Sequence, residues 1–161
     1  MECKTVTHSA IVVSAVMQPN QANPGGNVHG GEIMKMMDNA AFVAAQRHAR
    51  SNVVTARVDE LTFLEPILVG NWVSCLAKVT FVGRSSMEVS VTVEVEDLYS
   101  EALRKKALTG YFTMIAVNAG GKPIAVSSLE TTTDEERHLF EEGRVRYERY
   151  KQRRQAESNP E

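Results

Sequence analysis

Residues 87–96, "MEVSVTVEVE", alternate apolar with polar side chains without a break. A period of two is the pleat of a β-strand, with one dry face and one wet face. Three further runs have the same character: "VVTARVDELTF" (53–63), "WVSCLAKVTF" (72–81) and "ALTGYFTMIAV" (107–117). An earlier apolar run, "HSAIVVSAVM" (8–17), reads as a first strand. The segments "VGRSS" and "NAGGKP" are turn signals, and "YSEALRKKA" is polar enough to be a connection. Between the first strand and the others lies a different pattern. "QPNQANPGGN" (18–27) is dense in Pro, Gly and Asn and must be loop. From Gly30 to about Ala49 the chain has no proline and is rich in Ala, Met and charged residues, which predicts a helix. A second helix is expected from Thr133 on, where "TDEERHLFEEGRVRYERYKQRRQ" carries its acids early and its bases late, as the helix dipole favours. Residues 1–132 are thus expected to form one α+β domain, and residues 133–161 a C-terminal helix and tail.

With 161 residues, of which 43% are hydrophobic, the length suits a single core. A chain this long buries roughly 70% of its unfolded surface, so no metal or disulfide staple is required. The two cysteines, Cys3 and Cys75, form neither a CxxC pair nor a Cys/His cluster, so no metal site is expected and reduced cytoplasm is the expected compartment. No signal-peptide pattern opens the chain, and no apolar stretch approaches the ~20 residues of a membrane span. A net charge of -2 points to no particular partner. The segment "RVRYERYKQRR" (144–154) is basic and holds two tyrosines, but a charged surface helix explains it better than nucleic-acid binding.

One acid stands out. Asp38 lies inside the predicted first helix, where an unpaired charge is costly to bury. At about 100° per residue, Glu32, Lys35, Asn39 and Gln46 form the wet stripe, whereas Asp38 lies nearest Gly31, Met34, Ala41 and Ala45. It is also only about 60° from Lys35. Two readings are therefore open: a partly exposed acid at the edge of the polar stripe, or a desolvated carboxylate poised as a base. The preceding "VHGGE" favours the second. Its glycines, Gly30 and Gly31, stand where the helix begins, so backbone can approach a ligand closely and unpaired N–H groups point at it, as in an oxyanion or carbonyl site. His29 reads as a residue that fixes the turn. Met34, Met37 and Phe42 read as core, with an acyl-lining role as the alternative.

The order loop "NQANPGGNVHGG" (20–31), helix "EIMKMMDNAA" (32–41), strand "TARVDELTFLEPILVGNWV" (55–73) resembles the hot-dog-fold acyl-CoA thioesterases of the YciA and brain acyl-CoA hydrolase type. The likeness is close from Met17 to Gly83 and looser to "GGKP". It implies a curved antiparallel sheet wrapped around a long central helix, in homodimers that assemble further into hexamers as trimers of dimers. It implies an acyl-CoA hydrolase of fatty acid metabolism, with Asn23 and Asp38 matching the family's catalytic Asn and Asp. Gly30 and Gly31 then supply the oxyanion donors, and Asp38 activates water or attacks the carbonyl itself. The substrate's coenzyme A asks for basic residues or free N–H groups; Arg84, Ser85 and Ser86, in the turn where the family places ligand contacts, are the first choice and Arg57 the second. No cofactor is expected beyond the CoA of the substrate. Two rivals are an acyl-thioester dehydratase, whose His and acid would need a different spacing from His29 and Asp38, and a non-catalytic acyl-CoA-binding protein.

Overall fold

The structure is a computed structural model and describes residues 2–158. In chain order its elements are β1 (Lys4–Thr5), α1 (Val6–Ser9), β2 (Ile11–Val16), a 3-10 turn (Pro19–Gln21), α2 (Gly30–Ala49), β3 (Asn52–Asp59), β4 (Trp72–Val82), β5 (Ser86–Glu96), β6 (Lys105–Val117), β7 (Leu129–Glu130) and α3 (Asp134–Ser158). Five strands form one antiparallel sheet in the order β2-β4-β5-β6-β3, and β1 pairs in parallel with β7. Helix α2 buries Ile33, Met37, Ala40, Ala41, Ala44 and Ala45 against the inner face of this sheet, where Val73, Cys75, Val79, Val89, Val91 and Met114 complete the core. The row of alanines is what lets a 20-residue helix lie close to strands. No helix of the described residues is long and apolar enough to cross a membrane.

Three expectations need correction. The first apolar run is split, because α1 takes Val6–Ser9 and β2 begins only at Ile11. The predicted strand over 53–63 stops at Asp59, since Glu60 has a φ of 54° and turns the chain out of the sheet. The wet outer face expected of 87–96 is covered for half its length: Glu88 and Ser90 are buried, Glu88 against Arg146 of α3. Helix α3 starts with a capping box, in which Thr133 Oγ1 accepts from Glu136 N–H at 3.1 Å and Glu136 Oε2 from Thr133 N–H at 3.3 Å. Residues 159–161 of the predicted tail lie outside the described residues.

Bulges decide which residues reach which face. In the β4–β5 pairing the register skips Thr80, so Phe81 comes opposite Glu88 and both face α3. In the β3–β6 pairing it skips Ala56: Thr55 lies opposite Met114 on the inner face, and Arg57 opposite Thr113 on the outer. Two residues that strict alternation puts on one face are therefore on opposite ones.

Candidate active site

Asp38 sits at the border of the buried stripe of α2, between buried Met37 and exposed Asn39, and is itself half-buried. Of the two sequence readings, the single chain has the partly exposed one. Oδ1 of Asp38 accepts a 2.7 Å hydrogen bond from Thr55 Oγ1, which fixes the carboxylate's rotamer. Among the described residues no donor meets Oδ2. Thr55 itself also lies 3.5 Å from Met114 Sδ, so its own rotamer is held by the sheet. One turn before and after Asp38, Met34 and Phe42 are 42% and 38% exposed, so the core reading holds for Met37 alone. Across from them on the edge strand β3, Val54 and Val58 are also exposed.

The loop before α2 is held by its own polar groups. Asn23 N–H donates to Asn27 O at 2.7 Å, Gly26 N–H to Asn23 O at 3.0 Å, and Asn27 N–H to Asn23 Oδ1 at 3.2 Å. Gly26 has a φ of +88°, which this tight turn requires and a Cβ would oppose. Asn23 Oδ1 is thus engaged within the loop, and its NH2 has no acceptor among the described residues. His29 is the N-cap of α2: its Nδ1 accepts from Gly31 N–H at 2.9 Å, so it does fix the turn. That bond also occupies the Gly31 donor, whereas Gly30 N–H has no acceptor among the described residues. Asn23 and Gly30 line one cleft of about 330 Å³, with Ile33, Phe63 and Ile67 among its walls. Asp38 does not line it.

The four residues expected to meet coenzyme A are divided. Ser85, Ser86 and Arg57 line a second cleft of about 290 Å³ on the outer face, shared with Tyr147, Tyr150 and Arg154 of α3. Arg84, at the exposed tip of the β4–β5 hairpin, does not line it. The Arg57 charge is engaged within the chain, paired with Asp59 at 2.7 Å and stacked 3.8 Å above the Tyr150 ring. Sequence reasoning missed Thr55, because strand alternation reports a face and not a partner.

Residues 25–102 match the profile of the thioesterase superfamily. The cytosolic acyl coenzyme A thioester hydrolase of Rattus norvegicus is 34% identical over 160 residues, 99% of this chain, which spans only 42% of that protein's length. The acyl-CoA thioester hydrolase YciA of Escherichia coli is 34% identical over 123 residues, 75% of this chain and 93% of its own. The acyl-CoA hydrolase of Staphylococcus aureus, solved with butyryl coenzyme A, coenzyme A and coenzyme A disulfide, has a TM-score of 0.88 at 30% identity over 98% of this chain and 95% of its own. Variants of that enzyme with Ala in place of an Asn, an Asp and a Thr have also been solved. An apo-hexameric acyl-CoA thioesterase has a TM-score of 0.87 at 34% identity, over 93% of this chain and 97% of its own. The chain therefore belongs to the thioesterase superfamily, beside YciA and the cytosolic acyl-CoA thioester hydrolases, and its sheet and central helix are the hot-dog fold.

Proposed function

We propose that this chain hydrolyses acyl-CoA thioesters to a free fatty acid and CoA, with Asp38 as base. The observation that carries the reading is the Asp38 carboxylate held by Thr55 on a helix that starts at Gly30 and Gly31. Support comes from the Staphylococcus aureus enzyme, whose altered Asn, Asp and Thr follow one another at the sequence separations of Asn23, Asp38 and Thr55. In this reaction Asp38 takes a proton from water as the water oxygen attacks the carbonyl. The oxyanion of the tetrahedral intermediate meets Gly30 N–H at the positive end of the helix dipole and the Asn23 amide. Gly31 keeps its own N–H on His29 and contributes the absence of a side chain: a Cβ there would stand 3.0 Å from His29 Nδ1. The C–S bond then breaks, and the CoA thiolate takes up the proton held by Asp38. Attack by Asp38 through an anhydride, cleaved by water in a second step, balances equally. Neither route calls for a cofactor beyond the CoA of the substrate.

Gly30 and Asp38 are separated by about 12 Å along one helix at about 1.5 Å per residue, too far to act on one carbonyl. We therefore assign the working site to a homodimer in which Asn23 and Gly30 of one copy face Asp38 of the other, assembled into a hexamer as a trimer of dimers and operating in the cytoplasm. Exposed Met34, Phe42, Val54 and Val58, which flank the acid on α2 and β3, are the apolar surface such a partner would cover. The test is release of free thiol from acyl-CoAs of graded chain length. Asp38→Asn is expected to lower kcat by about 10²–10⁴ with the melting temperature retained. Near wild-type turnover in that variant removes Asp38 from the reaction.

A further inference from the structure

The cleft that holds Asn23 and the free Gly30 N–H is largely apolar in its side chains. Val28, Ile33 and Ile67 give it buried walls, and Phe63 and Leu64 stand at its rim, 45% and 62% exposed. The Phe63 ring comes close to the donor residue: a Cβ on Gly30 would stand 3.4 Å from Phe63 Cζ. A carbonyl that accepts from Gly30 N–H therefore has these walls beside it, and a thioester carbonyl carries two substituents, the sulfur of CoA and the acyl chain. No Lys, Arg or His lines the cleft among the described residues, so it offers the phosphates of CoA no counter-charge, whereas an alkyl chain suits its walls.

One side chain in the lining is at odds with the rest. Glu65 is the only charged group there, is exposed, and has no cation within ion-pair distance among the described residues. Its place is fixed by the backbone on either side. Leu64 N–H donates to Ala107 O at 2.9 Å, Val28 N–H donates to Ile67 O at 2.8 Å, and Pro66 restricts the conformations open to Glu65. A carboxylate that stays in water at the edge of an apolar cleft costs a passing alkyl chain little, but it repels a second carboxylate brought beside it.

We propose that Glu65 sets the acyl specificity of this site: it admits uncharged acyl groups and rejects those that end in a carboxylate. The assignment rests on the thioesterase reading and narrows its substrate class to the CoA thioesters of monocarboxylic acids. Glu65 takes no part in bond making and acts through space on the far end of the acyl group.

Wild type is compared with Glu65→Gln, with Glu65→Lys and with Glu101→Gln, which removes an exposed acid from the β5–β6 connection outside the cleft. Each is assayed on pairs of acyl-CoAs of equal length that differ by one terminal carboxylate, hexanoyl against adipoyl and dodecanoyl against dodecanedioyl. Wild type is expected to prefer the uncharged member in kcat/KM. That preference should narrow about tenfold in Glu65→Gln and further in Glu65→Lys, through faster turnover of the carboxylated member alone, with Glu101→Gln like wild type. Added salt should narrow it more in wild type than in Glu65→Gln, because screening weakens a charge and not a steric fit. A preference that is the same in wild type and both Glu65 variants overturns the proposal. So does an equal change on both members of a pair, because Glu65 would then act on the part they share. If wild type releases thiol from no acyl-CoA, the thioesterase reading fails instead, and binding decides the cleft by itself. Calorimetry then compares the thioether S-hexyl-CoA with its counterpart carboxylated at the far end of the chain. Tighter binding of the uncharged thioether that narrows in Glu65→Gln supports the proposal, and no difference, or an unchanged one, overturns it.

Discussion

Thr55 is the one protein donor that meets the Asp38 carboxylate among the described residues, and it comes from a different element. In Thr55→Val the shape of the side chain is kept and the hydroxyl is lost, so the carboxylate is free to turn. We expect kcat to fall about 10- to 100-fold with KM and melting temperature little changed, because misorienting a base costs rate and not fold. Unchanged kcat would show that Asp38 needs no such anchor. A second residue links pH to stability. His48 closes the last turn of α2, is fully buried, and has Nε2 2.9 Å from Ser127 O while Nδ1 has no partner among the described residues. Burial holds its pKa below the usual 6.5, the charges of Lys4 and His8 push the same way, and the Ser127 carbonyl opposes them. The folded chain thus keeps His48 neutral while the unfolded chain takes up a proton. Stability is whole above about pH 6.5 and declines as pH falls through that value. His48→Gln, which keeps a donor for Ser127, should flatten the loss of melting temperature between about pH 7.5 and 5.5; parallel slopes would assign that loss to other groups. Asp38 was legible in the sequence because an acid among Met and Ala stands out, whereas neither Thr55 nor the burial of His48 leaves such a mark.

At the scale of elements, the longest strands followed from periodicity and both long helices from composition and the order of their charges, and the departures lie where none of these carries information. A bulge adds one residue without changing composition, so the outward turn of Arg57 after Ala56 and of Phe81 after Thr80 could not be read from alternation. The two-residue strands β1 and β7 are too short to show a period. Helix α3 is the larger surprise, because its charge suggested a solvated helix and yet it packs against the sheet. Phe140 and Tyr147 flank Phe81 at 5.0 and 5.4 Å, and Arg146 makes two 2.9 Å bonds to buried Glu88 while lying 3.8 Å above the Tyr111 ring. Gly143 makes that approach possible. A Cβ at this position would come within 2.7 Å of Phe81 Cβ and 2.8 Å of Glu88 Oε1. Gly143→Val should therefore lift α3 from the sheet and destabilise the chain by about 1–3 kcal/mol, read as a lower urea midpoint. An unchanged midpoint would mean that α3 adds little to stability.

For the whole molecule, the single chain keeps apart the groups that the proposed reaction needs together. Asn23 and Gly30 line a cleft at the start of α2 without Asp38, and Asp38 with Thr55 lies farther along the helix beside exposed Met34 and Phe42. An apolar surface next to an edge strand is a natural isologous interface, and two-fold symmetry would bring the start of each α2 to the middle of the other, making two equivalent sites at once. The alternative, a site within one chain, would need Gly30 and Asp38, about 12 Å apart along α2, to act on one carbonyl. The two arrangements differ in what a mixture does. In a heterodimer of an Asn23→Ala chain with an Asp38→Ala chain, the shared-site arrangement gives one site with both residues and one with neither. Two inactive parents should then regain activity on mixing, up to about half of wild type per heterodimer, since one of two symmetric sites is whole. Differently tagged chains establish that subunits exchange. If they do exchange and no activity returns, each site draws Asn23 and Asp38 from the same chain, and the exposed face around Asp38 has some purpose other than completing the site.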